Sequence, residues 1–72
     1  MSEKLKNSAR QYDLVAEELE KASQHYKTAA KHFREKEIPR GAAHAYAGWG
    51  HINKAEILLK AESIVHAENS NP

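Results

Sequence analysis

The feature that most restricts the fold of this chain is a long run without glycine or proline, from Glu3 to Lys36. Alanine, leucine, glutamate and lysine dominate the run, and all four favour helix. Pro39 then disfavours helical geometry in the residue before it, and Gly41 adds backbone freedom. The sequence therefore predicts an all-α antiparallel helical hairpin, a single domain over residues 1–72 with helix 1 at about 3–36, a turn at 37–40 and helix 2 at about 41–67.

Apolar residues in helix 1 recur every seven positions, which is typical of a coiled coil. One row carries large side chains: Leu5, Tyr12, Leu19, Tyr26 and Phe33. The row three positions further along carries mostly small ones: Ser8, Val15, Ala22 and Ala29. Since small side chains let two helices approach closely, this second row predicts a close contact with a partner helix.

Helix 2 is apolar around most of its circumference, and only three of the 11 basic and three of the 10 acidic residues follow position 37. One partner helix cannot cover such a surface, so we expect the hairpin to dimerise into an antiparallel four-helix bundle, or to form a higher oligomer. The predicted oligomer interface consists of Tyr46, Trp49, Ile57, Leu58, Ile64 and Val65. The predicted core of the bundle consists of Tyr12, Leu19, Tyr26, Phe33, Trp49, Ile52 and Leu59.

A break within helix 2 is the alternative to one continuous helix. Asn53 followed three residues later by Glu56 matches a helix-start capping pattern, and the segment from Gly50 resembles the turn and second helix of a tetratricopeptide repeat. That repeat needs about 34 residues and several copies, and only one copy fits here. Because the apolar periodicity continues across Gly50, we favour the continuous helix.

Four of the five histidines are spaced by seven residues, His25 and His32 in helix 1 and His44 and His51 in helix 2. An antiparallel hairpin that turns near residue 38 places His25 opposite His51 and His32 opposite His44, in two rungs about 10 Å apart. Imidazole binds zinc, copper, nickel and iron. The two rungs are therefore candidate ligands for a divalent transition metal.

Each rung supplies only two ligands, whereas zinc takes three or four. Glu62 and His66, an i,i+4 pair in helix 2, are the candidates for the missing ligands in an oligomer. The simpler interpretation is that the histidines flank the helix contact as half-buried, hydrogen-bonded side chains. Proton-linked switching is a third interpretation, because an unperturbed histidine titrates near pH 6.5.

Most other function classes have no signal in this chain. It contains no Glu-x-x-His motif of di-iron bundles, no evident Ser/His/Asp set and no glycine-rich phosphate loop, so we expect no enzyme activity. A net charge of +1 disfavours general nucleic-acid binding, and no apolar run is long enough to predict a membrane span. The lack of cysteine excludes disulfides and thiolate metal sites and fits a cytoplasmic protein.

The charges of helix 1 change sign along its length. Four acidic residues, Asp13, Glu17, Glu18 and Glu20, are followed by four basic ones, Lys27, Lys31, Arg34 and Lys36. An ordinary solvated face explains this gradient. Alternatively, two copies of helix 1 pack antiparallel about a point near residue 24, so that acid meets base twice in a two-fold dimer.

The segment HYKTAAKHFREKEIPRGAAHAYAGWGHINKAEILLKAESIVHAE carries a resemblance to a protein class. Its pieces Ala29-Ala30-Lys31-His32-Phe33, Ala42-Ala43-His44, Gly50-His51 and His66-Ala67-Glu68 resemble small, histidine-rich, two-helix bacterial proteins of unknown function. The resemblance implies a continuous second helix and no particular activity. Tyrosine, phenylalanine, tryptophan, isoleucine and leucine stand here where those proteins often have more histidine, which favours ordinary packing.

The sequence thus supports three functional hypotheses. The first is a small, non-enzymatic, self-associating protein with a structural or interaction role and no cofactor. The second is a divalent-metal-binding protein that uses the histidines between its helices. In the third, the aromatic and alanine-rich surface of helix 2 binds a helix of another protein.

Overall fold

The computed structural model describes residues 2–70 as two α-helices of equal length, α1 at Glu3–Arg34 and α2 at Ile38–Asn69. Contacts at both ends of the molecule show that the helices run antiparallel side by side. At the open end, the Lys4 Nζ donates to the Asn69 side-chain oxygen, 2.9 Å away. The molecule measures 55 × 22 × 13 Å. The all-α helical hairpin predicted from the sequence is confirmed.

The end of α1 comes at Arg34, two residues earlier than expected. The Glu37 N–H donates to the His32 carbonyl at 2.8 Å, and the Lys36 N–H donates to the Phe33 carbonyl at 3.0 Å. Lys36 has φ 62°. These bonds form a Schellman motif in which a lysine takes the left-handed position that glycine usually occupies.

The start of α2 comes at Ile38, three residues earlier than expected, because proline is well suited to the first turn of a helix. Pro39 lacks an N–H, but the N–H groups of a first turn have no partner within the helix. Gly41 consequently lies inside α2 with ordinary helical geometry, and the prediction that it supplies freedom to the turn is wrong. The turn occupies residues 35–37 rather than 37–40.

The second helix is continuous, as the apolar periodicity predicts. It passes through Gly50 and Asn53 without interruption and ends at Asn69, two residues beyond the predicted boundary. The alternative of a helix break after Gly50 is therefore wrong for this chain.

A seam of small side chains joins the two helices. The Ser8 hydroxyl donates to the Glu62 carboxylate at 3.0 Å, which sets the register. Steps of seven residues toward the turn then pair Val15 with Ala55, Ala22 with Gly48 and Ala29 with Gly41, and all six residues are buried. The small row of α1 is thus the packing row, as expected from the sequence.

Two glycines in the seam make room for aromatic rings of α1. A Cβ atom on Gly48 would lie 3.1 Å from the Tyr26 ring, and one on Gly41 would lie 2.8 Å from the Phe33 ring. The rings therefore lean over the glycine backbone from one side of the seam. Gly48 thus permits close packing between the helices.

The large apolar row of α1 remains partly exposed on that same side. Its aromatic residues Tyr12, Tyr26 and Phe33 keep 41–46% of their surface accessible. Together with the neighbouring row of α2 they form what we call the apolar face: Leu5, Tyr12, Leu19, Tyr26, Phe33, Trp49, Ile52 and Leu59. Every residue predicted for the core of a bundle belongs to this face, so none of them forms the core of the single hairpin.

The six predicted interface residues do not share one surface of the hairpin. Trp49 lies at the edge of the apolar face, with the Tyr46 ring 5.9 Å away from it. Leu58 and Val65 continue the row of His44 and His51 on the other side of the seam, while Ile57 and Ile64 point away from α1 and are exposed.

Neither helix, over the part of the chain that is described, combines the length and apolar character needed to cross a bilayer.

Candidate functional site

Four histidines form a single row on the side of the seam opposite the apolar face. We call this row the histidine ladder: in spatial order His32, His44, His25 and His51. The centroids of successive rings are 5.4, 5.4 and 5.5 Å apart. Rings from α1 and α2 alternate along the ladder. Both pairings predicted from the sequence occur within the ladder.

The contact between His25 and His44 was not predicted, and it turns two separate rungs into one continuous row. Their Nδ1 atoms are 3.1 Å apart, within hydrogen-bond distance. The difference between the two predicted rungs and the observed continuous row arises at the turn. Because the turn lies at residues 35–37 instead of being centred on 38, each histidine falls between two levels of the opposite helix rather than directly across from one.

A carboxylate closes the ladder at each end. The His51 Nδ1–H donates to the Glu18 carboxylate at 2.6 Å, and this hydrogen bond holds the pKa of Glu18 below its ordinary value. At the other end, the His32 Nδ1 lies 3.7 Å from a Glu37 carboxylate oxygen. The sequence signal for both residues was present, since Glu18 precedes His25 by seven residues and Glu37 precedes His44 by seven.

Glu62 and His66 lie away from the ladder. Eleven residues separate Glu62 from His51, a rise of about 16 Å along the helix. Glu62 is only 5% exposed and accepts the hydrogen bond from Ser8. His66 lies beside it at 3.4 Å, and its Nε2 is 3.1 Å from the Tyr12 hydroxyl. Within one chain these two residues cannot complete a metal site with the ladder histidines.

The serine of this second polar cluster is not bonded to the histidine. In a Ser–His pair, the imidazole accepts the proton of the serine hydroxyl. Here the Ser8 hydroxyl donates to the Glu62 carboxylate instead. The cluster therefore satisfies a buried acid at the open end of the hairpin and ties α1 to α2.

A third group of polar residues lies at the turn. His32, Glu35 and Glu37 each present one ligand atom, and these atoms all lie within 4.8 Å of one another. The His32 Nδ1 is buried and has no hydrogen-bond partner. Of these three residues only His32 was predicted as a ligand from the sequence, and the predicted turn at 37–40 left Glu35 within helix 1.

Comparison of the chain with family models, curated proteins and solved structures finds no match.

Proposed function

We propose that this protein is a non-enzymatic, self-associating helical hairpin that forms an antiparallel four-helix bundle with a second copy of itself. The apolar face is the observation that carries the proposal. Its three aromatic rings and two leucines on α1 all remain at least 41% exposed along one side of a hairpin only 13 Å thick. A second copy would bury this face, which gives the small domain the core that it lacks alone.

The charges beside the apolar face favour a second copy over an unrelated partner. Asp13, Glu20, Lys27 and Arg34 are exposed on the outer edge of α1, and among the described residues none of them makes an ion pair or a side-chain hydrogen bond. A two-fold antiparallel pairing of α1 centred between residues 23 and 24 brings Glu20 opposite Lys27 of the second copy and Asp13 opposite Arg34. Symmetry produces each of these contacts twice.

A row of small residues supports the same arrangement. Ala9, Ala16, Ser23 and Ala30 lie on α1 between the large apolar row and the outer charged row. The antiparallel pairing brings Ser23 near Ser23 of the second copy and Ala16 near Ala30. Such a row lets two helices approach closely, as the small row of the seam already does within the hairpin.

Charge reversal tests the proposal without disturbing the seam. We expect the wild type to be a dimer at micromolar concentration by sedimentation equilibrium. Either Glu20→Lys or Lys27→Glu should weaken the dimer about tenfold, because two attractive contacts each become repulsive. The double variant Glu20→Lys/Lys27→Glu restores opposite charges and should return the dissociation constant to near the wild-type value.

Lys54→Glu is the matched control for Lys27→Glu, since it makes the same change in net charge on the side of α2 away from the apolar face. It should leave the dimer unchanged. A wild-type chain that stays folded and monomeric would overturn the proposal, and so would a double variant no stronger than the singles. A monomer that exposes the apolar face would favour the third hypothesis from the sequence, in which the aromatic and alanine-rich surface of helix 2 binds a helix of another protein.

Binding of a divalent transition metal is the second candidate function, and the contact between His25 and His44 favours it. Their Nδ1 atoms are 3.1 Å apart. Two ligands of a tetrahedral zinc ion with bonds of about 2.0–2.1 Å are separated by about 3.3 Å. The ladder therefore holds two nitrogen atoms near the spacing that a metal requires.

Calorimetric titration with Zn²⁺ and Ni²⁺ tests this second function. Saturable binding to the wild type supports it, and binding that His25→Asn abolishes places the ion in the ladder. His66→Asn is the matched control, because it removes a histidine outside the ladder. Absence of saturable binding to the wild type at neutral pH would end this hypothesis while leaving self-association intact.

A further inference from the structure

We infer that the turn of the hairpin is a zinc site formed by His32, Glu35 and Glu37. This inference rests on metal binding, the second function proposed above, and assigns it to residues that the sequence analysis did not combine. The three ligand atoms already lie within 4.8 Å of one another. One imidazole nitrogen and two carboxylate oxygens leave a fourth position of a tetrahedral ion for water.

The unpartnered nitrogen of His32 is the observation that distinguishes this place from the rest of the ladder. His25 and His44 share a contact between their Nδ1 atoms, and the His51 Nδ1 is bonded to Glu18. The His32 Nδ1 is buried without a hydrogen-bond partner, and the Glu37 oxygen is still 3.7 Å away. A metal ion between these two atoms would satisfy both.

The turn brings the two glutamates to the same end of α1 as His32. Glu35 caps α1 and Glu37 is the residue before α2, so the left-handed Lys36 between them folds the chain back on itself. The carbonyl end of α1 and the amide end of α2 both lie at this turn, so their opposite partial charges largely offset each other. The two carboxylates are therefore the groups that favour a positive ion at this position.

Arg40 is the competitor for this site. Its guanidinium Nη1 is 2.9 Å from the Glu37 Oε2, while the other oxygen, Oε1, is the one nearest His32. One oxygen of Glu37 therefore stays available for a metal while Arg40 holds the other. Removing the guanidinium should free the whole carboxylate and favour metal binding.

Zinc is the ion that the donor set fits best. Imidazole favours zinc, nickel and copper, whereas carboxylates alone favour magnesium, calcium and manganese. Zinc accepts both donor types, and tetrahedral sites with three protein ligands and a water are common for it. Magnesium, which keeps most of its water and needs nearly octahedral geometry, should not compete.

Titration of the full-length chain with Zn²⁺ alone tests the inference. We expect one ion per chain, and we expect Glu35→Gln and Glu37→Gln each to weaken its affinity about tenfold or more. Glu56→Gln is the matched control, since Glu56 is an exposed acid of α2 far from the turn. Arg40→Gln should strengthen binding about twofold to fivefold. The imidazole ¹⁵N signals of His32 should shift on binding.

The possible outcomes distinguish failure of the turn site from failure of metal binding altogether. Binding that the glutamate variants leave unchanged but His25→Asn removes would keep metal binding and overturn the turn site. A wild type with no saturable Zn²⁺ binding would overturn both. Circular dichroism without metal shows whether a glutamate variant has lost helix. If it has, Arg40→Gln still tests the site, because this variant keeps all three ligands and should bind Zn²⁺ more tightly.

Discussion

Glu18 shows how one side chain connects the ladder to the stability of the hairpin. The His51 Nδ1–H donates to its carboxylate at 2.6 Å, and this bond, more than the nearby charges of Lys21 and Lys54, lowers the pKa of Glu18. The ionised form of this carboxylate is thus more stable in the folded chain than in the unfolded one. Glu18 and His51 join α1 to α2 at the inner end of the ladder.

We predict that this contact makes the hairpin sensitive to acid. Because the pKa of Glu18 is lower in the folded chain, its contribution is present above the unfolded value of about 4.3 and is lost as the pH falls through the folded value. Between pH 5 and pH 3, at constant ionic strength, the free energy of unfolding of the wild type should therefore fall more steeply than that of Glu18→Gln. Urea denaturation across the range measures both.

Glu17→Gln is the control for this comparison, since Glu17 is the adjacent acidic residue and is exposed. It should keep the pH dependence of the wild type. If Glu18→Gln and Glu17→Gln follow the same curve, the bond to His51 does not contribute to acid sensitivity.

At the scale of the helix, two glycines of α2 differ in their role. Both lower the helix propensity of the chain, but only one of them makes room for a side chain of α1. Gly50 faces open space, because no atom lies within 4 Å of where its Cβ would be. Gly48, only two residues earlier, lies under the Tyr26 ring. Both positions lie in the same helix and have helical backbone geometry. The effects of an alanine substitution at the two positions should therefore differ mainly because of the atoms that the new methyl group contacts.

We predict that Gly50→Ala stabilises the chain by about 0.5–1 kcal/mol, because alanine is the better helix former. Gly48→Ala should lose that gain, since its methyl group at 3.1 Å requires the Tyr26 ring to move by a few tenths of an ångström. Urea denaturation at one protein concentration compares the two. The double variant Gly48→Ala/Tyr26→Ala, set against Tyr26→Ala, should recover the gain, and an equal gain in both single variants would show that the ring moves freely.

At the scale of the whole molecule, stability should depend on protein concentration. If two hairpins bury their apolar faces against each other, each tenfold rise in concentration favours the folded dimer by about 1.4 kcal/mol. The midpoint of thermal unfolding, followed by circular dichroism, should therefore rise across a hundredfold range of concentration. At any one concentration, Lys27→Glu should unfold at a lower temperature than the double variant Glu20→Lys/Lys27→Glu. A midpoint independent of concentration would contradict the four-helix bundle.

Local features of the sequence were enough to predict the helices, the row that packs and the two histidine pairs. Helical periodicity depends only on positions along the chain, so seven-residue spacing already places Val15, Ala22 and Ala29 on one side and His25 and His32 on another. A prolonged absence of glycine and proline, followed by Pro39, is likewise a local signal for two helices.

Only the tertiary structure decided the level at which one helix meets the other. The Schellman motif at Lys36 moved the turn toward α1 by about two residues, and that shift placed each histidine between two others and brought Glu35 to the same turn as His32. A heptad pattern defines the angular position of a side chain but not its height against a neighbouring helix. The height depends on the bonds of the turn and on Ser8 and Glu62 at the open end, which join residues far apart in the chain.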